Sequence, residues 1–143
     1  MPGIDNCKVS EDPLLVQELI DLVKDDGAGA ISTFLGTTRN VFEDKQVKTL
    51  SYEGYVPMAE KMLYQIIAEA REKWSLINCA IHHKIGEVPV GETSVIVVVS
   101  SKHRRASLEA CHFLIDELKA RVPIWKKEIF VDGTAIWKEN CHC

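Results

Sequence analysis

The stretch VIVVV, residues 95–99, constrains the fold more than any other part of this chain. Five consecutive β-branched residues leave no polar position, so a strand made from them has two apolar faces and both need cover. It is expected to be the central strand of a layered structure. Apolar spacing and turn residues place the other elements around it. Asp12-Pro13 suggests a cap with proline in the first turn, and Leu15, Leu19, Leu22 and Val23 follow at helical spacing, predicting a first helix over about 13–25. Residues 28–36, AGAISTFLG, predict a strand, 37–46 a polar loop, and 47–56, VKTLSYEGYV, a second strand. Pro57 opens a second helix with Ala59, Met62, Leu63, Ile66, Ala70 and Trp74 on its apolar face and Glu60, Glu69 and Lys73 on its wet side. Residues 77–85 alternate as a strand, and GEVPVGE, 86–92, supplies the turn toward 95–99. A third helix over about 104–121 has Leu108, Cys111, Ile115, Leu118 and Val122 on its inner side. It ends at Pro123, which biases Val122 away from helical dihedrals. Strands near 124–131 and 134–138, joined at Asp132-Gly133, predict a hairpin. The order α-β-β-α-β-β-α-β-β indicates an α+β fold, a layered mixed or mostly antiparallel sheet with three helices.

At 143 residues the chain fits one domain over 1–143, with enough length to bury a core without disulfides or a structural metal. With 46% hydrophobic and 27% charged residues, and no run approaching roughly 20 apolar residues, a membrane-spanning protein is excluded. The opening MPGIDNCKVSEDP lacks the basic-then-apolar pattern of a secretory signal, which predicts a cytoplasmic protein. Five cysteines, an odd number without a CxxC pair, argue against a disulfide framework. Cys79 and Cys111 sit in apolar stretches as small core residues. Cys141 and Cys143 flank His142 at the chain end, where three ligands on a frayed segment make a weak metal site, so no metal is assigned. No P-loop, dinucleotide fingerprint, HExxH or nucleophile elbow occurs, and no cofactor is expected.

The net charge of −4 is unevenly spread: residues 1–101 carry 9 Lys+Arg against 15 Asp+Glu, and residues 102–128 carry 7 against 4. One basic segment in an acidic chain suits a discrete anionic ligand rather than nucleic acid, which needs a wide basic face. Three places could hold such a ligand. In SSKHRRAS, 100–107, Lys102, His103, Arg104 and Arg105 crowd a helix start. Cations there are disfavoured by about 0.3–1 kcal/mol each unless an anion reverses the sign or the side chains point into water. In FLGTTRN, 34–40, Gly36 permits close backbone approach and Thr37, Thr38 and Arg39 offer donors; a plain turn gives the same pattern. In LKARVPIWKKE, 118–128, alternation puts Ile124, Lys126, Glu128 and Phe130 on one face and Trp125, Lys127, Ile129 and Val131 on the other. Both faces mix apolar groups with lysine, as a functional site or a protected edge strand would. A lysine desolvated there beside other cations loses proton affinity and can exchange protons near neutral pH. His82 and His83 fall on opposite strand faces and cannot share a metal.

GTTR at 36–39, YEGYVPMAEKML at 52–63, HHKIGEVPVGE at 82–92, SSKHRRASLEAC at 100–111 and LKARVPIWKKE at 118–128 together resemble the family of large, catalytic subunits of molybdopterin synthase. In order and spacing they cover most of residues 13–138. The resemblance implies an α/β hammerhead-type fold with a small additional β subdomain. It further implies sulfur transfer from the C-terminal thiocarboxylate of a small ubiquitin-like carrier with a Gly-Gly tail to cyclic pyranopterin monophosphate, forming the dithiolene of molybdopterin. The implied assembly is a homodimer at the centre of a heterotetramer. Carried over by position, Lys119 and Lys126 would be catalytic; Arg39, His103 and Arg104 would hold phosphate and pterin, beside Thr37 and Thr38; and Lys127 and Glu128 would line the same pocket. Thr38 stands where the family more often has valine, and Lys84 where arginine is usual. A non-catalytic module that captures a partner's C-terminal tail is the competing reading.

Overall fold

The computed structural model describes residues 3–139. Its elements run β1 (Asp5–Ser10), α1 (Val16–Val23), β2 (Ala30–Thr37), β3 (Val41–Phe42), β4 (Lys45–Gly54), α2 (Val56–Lys73), β5 (Cys79–Lys84), β6 (Gly86–Pro89), β7 (Thr93–Ser101), α3 (Arg104–Arg121), β8 (Ile124–Phe130) and β9 (Ala135–Glu139). The class is α+β with three helices, as the sequence predicts. One sheet has the order β1-β5-β7-β2, with β1 parallel to β5 and the other pairs antiparallel. The second follows β3-β4-β8-β9, with β6 on the other side of β4. Strand β7 is buried on both faces. Val95, Val97 and Val99 join the core under α2 and α3, and Ile96 and Val98 pack under α1 with Leu19 and Val23. Gly86, at φ +88°, turns the chain from β5 in the first sheet into β6 in the second.

Four expectations change. Helix α1 begins at Val16, because Asp12 is drawn into an ion pair with Lys8 at 2.8 Å and caps nothing; Leu15 and Leu22 stay exposed. Strand β1, absent from the predicted elements, has only Cys7 and Val9 pointing inward, too few for a strand pattern. Its outer N–H groups are satisfied by α2: Val9 N–H donates to Glu60 at 2.8 Å and Cys7 N–H to the Tyr64 hydroxyl at 3.1 Å, so Glu60 is only partly on the wet side. Short β3 and β6 replace part of the predicted loop and turn, since both complete the ladder of β4. Helix α3 spans the predicted residues, yet Leu108 is 58% exposed and Ser107 takes the inward position, its hydroxyl 2.7 Å from that of Ser32. The inward row Ser107, Ala110, Cys111, Leu114, Ile115, Leu118 keeps the helical period, and Leu108 lies one residue off it.

Arg121 ties α3 to α2 by a two-pronged contact with Glu69, both arms at 2.7 Å. Glu69 is thus only partly on the wet side. Among the described residues no helix is long and apolar enough to cross a membrane. The Cys141-His142-Cys143 terminus lies outside the described residues. Leu114→Ala, which empties a fully buried position, is expected to cost about 2–5 kcal/mol by denaturant titration. Arg121→Ala, which breaks a solvent-screened pair, should cost about 1 kcal/mol or less in the same measurement.

Candidate active site

The site begins with a disruption of the β2 ladder. Gly36 lies so close to β7 that a Cβ there would sit 2.7 Å from Val95 Cγ1, and the pairing register shifts between Gly36 and Thr37. Such a bulge re-aims the side chains that follow it. Thr37 and Arg39 now line a pocket, whereas Thr38 turns inward, 3% exposed, and donates its hydroxyl to the Val88 carbonyl at 3.1 Å. Antiparallel pairing of β4 with β8 sets Tyr52 opposite Lys126 and Leu50 opposite Glu128, so these four share one face and form the floor. Helix α3 delivers Lys119 from its last turn. Phe34 and Phe42 supply apolar walls to the resulting cavity of about 350 Å³. Arg39, Lys119, Lys126 and Glu128, far apart in the chain, therefore meet in one place.

Charge here is crowded and poorly hydrated. Burial holds the Lys119 ammonium below its usual pKa, and the charges of Lys126 and Arg39 push the same way. Lys126, its side chain only 13% exposed, is also lowered, chiefly by burial; Glu128 pulls it up, while Lys138 and Arg39 add to the lowering. Glu128 is 2% exposed, and its Oε1 lies 4.0 Å from Lys126 Nζ and 3.9 Å from Lys138 Nζ. Its Oε2 is buried without a hydrogen-bond partner among the described residues. Two lysines with weakened proton affinity beside a loosely paired carboxylate can bind anions and pass protons at a pH where solvated lysines are fixed charges.

Beneath the floor, Tyr52 meets His83 edge-on with ring centroids 5.0 Å apart. His83 is fully enclosed and donates Nδ1–H to the Lys84 carbonyl at 2.8 Å, which fixes the Nδ1–H tautomer whenever the ring is neutral. Burial pushes its pKa down to about 4, with the Lys119 charge acting in the same direction. His82, on the opposite strand face, is 2.6 Å from the Asn6 side-chain oxygen. Burial also pushes the Cys79 thiol up to about 12 and that of Cys111 to about 11, so neither supplies a thiolate near neutral pH.

Besides Thr38, three of the anticipated residues lie away from the pocket. Lys127 projects from the other face of β8, over the Trp137 ring at 5.5 Å, because strand alternation separates it from Lys126 and Glu128. His103 and Arg104 are exposed and line a separate concavity with Arg105, Leu108 and Glu109. They stand at the start of α3 and Lys119 near its end, roughly 22 Å along the helix. Conversely, Lys138, Tyr52, Phe34 and Phe42 belong to the site or its margin and were not anticipated. Only the β4–β8–β9 register brings Tyr52 and Lys138 opposite Lys126.

Fold and pocket together define an α+β protein with a sheltered cationic site suited to anionic ligands. A family model described as MoaE protein matches residues 9–121. The chain is 51% identical over 139 residues to the molybdopterin synthase catalytic subunit of Bos taurus, covering 97% of this chain and 74% of that protein. It is 57% identical over 125 residues to the subunit of the same name from Arabidopsis thaliana, covering 87% of this chain and 63% of the relative. The crystal structure of molybdopterin synthase from Staphylococcus aureus matches it with a TM-score of 0.86 at 36% identity, over 91% of this chain and 94% of that one. The chain belongs to the MoaE protein family.

The enclosed His83 makes folding sensitive to acid. Its folded pKa of about 4 lies below the ordinary value of 6.5, so between these pH values the unfolded chain binds the extra proton. This contribution is complete above pH 6.5 and is lost as the pH falls toward 4, on the order of 3 kcal/mol in all. Denaturant titrations from pH 7 to 4 are expected to show that loss in the native chain and a flatter profile in His83→Gln.

Proposed function

We propose that this chain acts in molybdenum cofactor biosynthesis as the catalytic subunit of a molybdopterin synthase. In this reading it moves sulfur from the C-terminal thiocarboxylate of a small ubiquitin-like carrier onto cyclic pyranopterin monophosphate. The supporting observation is the meeting of Arg39, Lys119 and Lys126 in one partly desolvated pocket. Both reactants are anions, and fixed positive charge in a water-poor cavity offsets their mutual repulsion far better than solvent does. Each transfer breaks the acyl carbon–sulfur bond of a carrier thiocarboxylate, whose tail water returns as a carboxylate, and forms a carbon–sulfur bond on the pterin side chain in place of a carbon–oxygen bond. One of those oxygens leaves with the opening phosphate ester and the other as water. Two transfers complete the dithiolene.

In this mechanism Arg39, exposed at the mouth, attracts the phosphate. Lys119 and Lys126 polarise the reacting groups and supply or take up the proton that moves as the cyclic phosphate opens. Their lowered proton affinity suits that exchange. Phe34, Phe42 and Leu50 limit water around an acyl group that would otherwise hydrolyse unproductively. A module that merely captured a carrier tail would be served by the exposed Arg39 alone and would have no need of two lysines held against burial. We assign the working assembly as a cytoplasmic heterotetramer, two copies of this chain at the centre with a carrier at each end.

Incubation with a thiocarboxylated carrier and the pyranopterin, followed by mass detection, should yield the dithiolene product. Lys119→Ala is expected to abolish that product while carrier binding persists; full activity in the variant would remove Lys119 from the mechanism. Arg39→Ala should weaken pyranopterin binding by about tenfold or more in a titration, with the thermal midpoint unchanged. An unaltered titration would argue against Arg39 as a phosphate ligand.

A further inference from the structure

Lys126 does not have Glu128 to itself. Lys138, from β9, stands directly opposite Lys126 on β8 and lies 3.9 Å from the same carboxylate oxygen that Lys126 approaches to 4.0 Å. An unshared ammonium–carboxylate pair closes to about 2.7–2.9 Å. Here neither lysine does, and the second oxygen of Glu128 is buried with no hydrogen-bond partner among the described residues. Lys138 is also held from its other side: its ammonium sits 3.1 Å from the centroid of the Phe42 ring, a cation–π contact that keeps it from swinging into water.

We infer that Lys138 is a positioning residue of this site, occupying one side of the buried Glu128 carboxylate so that the Lys126 ammonium is kept out of a closed ion pair and remains available to the pocket. The inference rests on reading the pocket as the place of reaction. The groups facing Lys126 are Tyr52 on β4, Glu128 on β8, Lys138 on β9, Lys119 on α3 and Arg39 after β2, with the neutral His83 behind Tyr52. Of these only Glu128 can draw the ammonium away, and only Lys138 competes for Glu128 at close range. Removing the charge of Lys138 deletes a repulsion and lets Glu128 turn wholly to Lys126. Both changes strengthen the hold of Lys126 on its proton.

The test reads Lys126 directly in the full chain, without substrate. Competitive acetylation across a pH series, resolved by peptide fragmentation so that Lys126 and Lys127 are scored separately, gives the titration midpoint of Lys126. In Lys138→Met the midpoint is expected to rise by about one pH unit, and in Lys138→Arg to return to the native value. Lys138→Gln serves as a second neutral variant, with circular dichroism confirming the fold. A midpoint unchanged in the neutral variants, or shifted equally in Lys138→Arg, would overturn the inference. Because no sulfur transfer is measured, this outcome is separate from any failure to form the dithiolene.

Discussion

The double-sided burial of β7 is the constraint from which the remaining architecture follows. Val95 to Val99 are 0–3% exposed, and each such side chain contributes about 1.5–3 kcal/mol only if its face is covered. Helix α1 covers one face, α2 and α3 the other, and neighbouring strands close both edges. Helix α3 leaves β7 within a few residues and runs back across the sheet for 18 residues. Its last turn thus arrives where the β2 bulge and the β4–β8 ladder meet. The pocket is located by the way the core is layered, before any of its own side chains is considered.

What fills that location runs against the usual logic of a protein interior. Arg39, Lys119 and Lys138 crowd around Lys126, and the one buried carboxylate beside it makes no close ion pair among the described residues. Two unit charges 4 Å apart interact by about 4 kcal/mol at an effective dielectric near 20, and by about 1 kcal/mol in water. Such a cluster is tolerable because surrounding structure over-determines it: β8 is locked by β4 and β9, and Phe42 steadies Lys138. The same enclosure that weakens the lysines' grip on their protons gives them chemistry that solvated lysines lack. Binding of an anionic ligand would relieve the repulsion.

Much of this was legible in the residues. The unbroken VIVVV run located the central strand, and Pro123 marked the end of α3 to the residue. The mixed faces of 124–131 marked a strand under conflicting demands, and its Lys126 and Glu128 do face the pocket. Strand β1 was hidden because its edge is satisfied by Glu60 and Tyr64, partners more than fifty residues away. Ser107 was hidden because a buried serine paired with Ser32 reads in sequence as a surface residue. Lys138 shows the limit most clearly. A two-residue turn on Asp132-Gly133 would pair Lys126 with Glu139; the actual loop is one residue longer, with Gly133 at φ +90° and Phe130 N–H donating to the Thr134 carbonyl at 2.9 Å. That one-residue difference moves Lys138 onto the side of Glu128.

Local pattern was enough to establish the three helices, six of the nine strands among the described residues, which strand lies at the centre and which stretches carry unusual positive charge, because these depend on neighbours a few residues apart. Which of those charges share a cavity was settled by register and layering. Strand alternation sends Lys127 away from Lys126, helix length separates Arg104 from Lys119, and the β2 bulge, the end of α3 and the β4–β8 ladder together unite Arg39, Lys119, Lys126 and Glu128. Those contacts span most of the chain, and no local periodicity encodes them, since pairing free energy is shared among many residues and is realised only when the whole sheet forms.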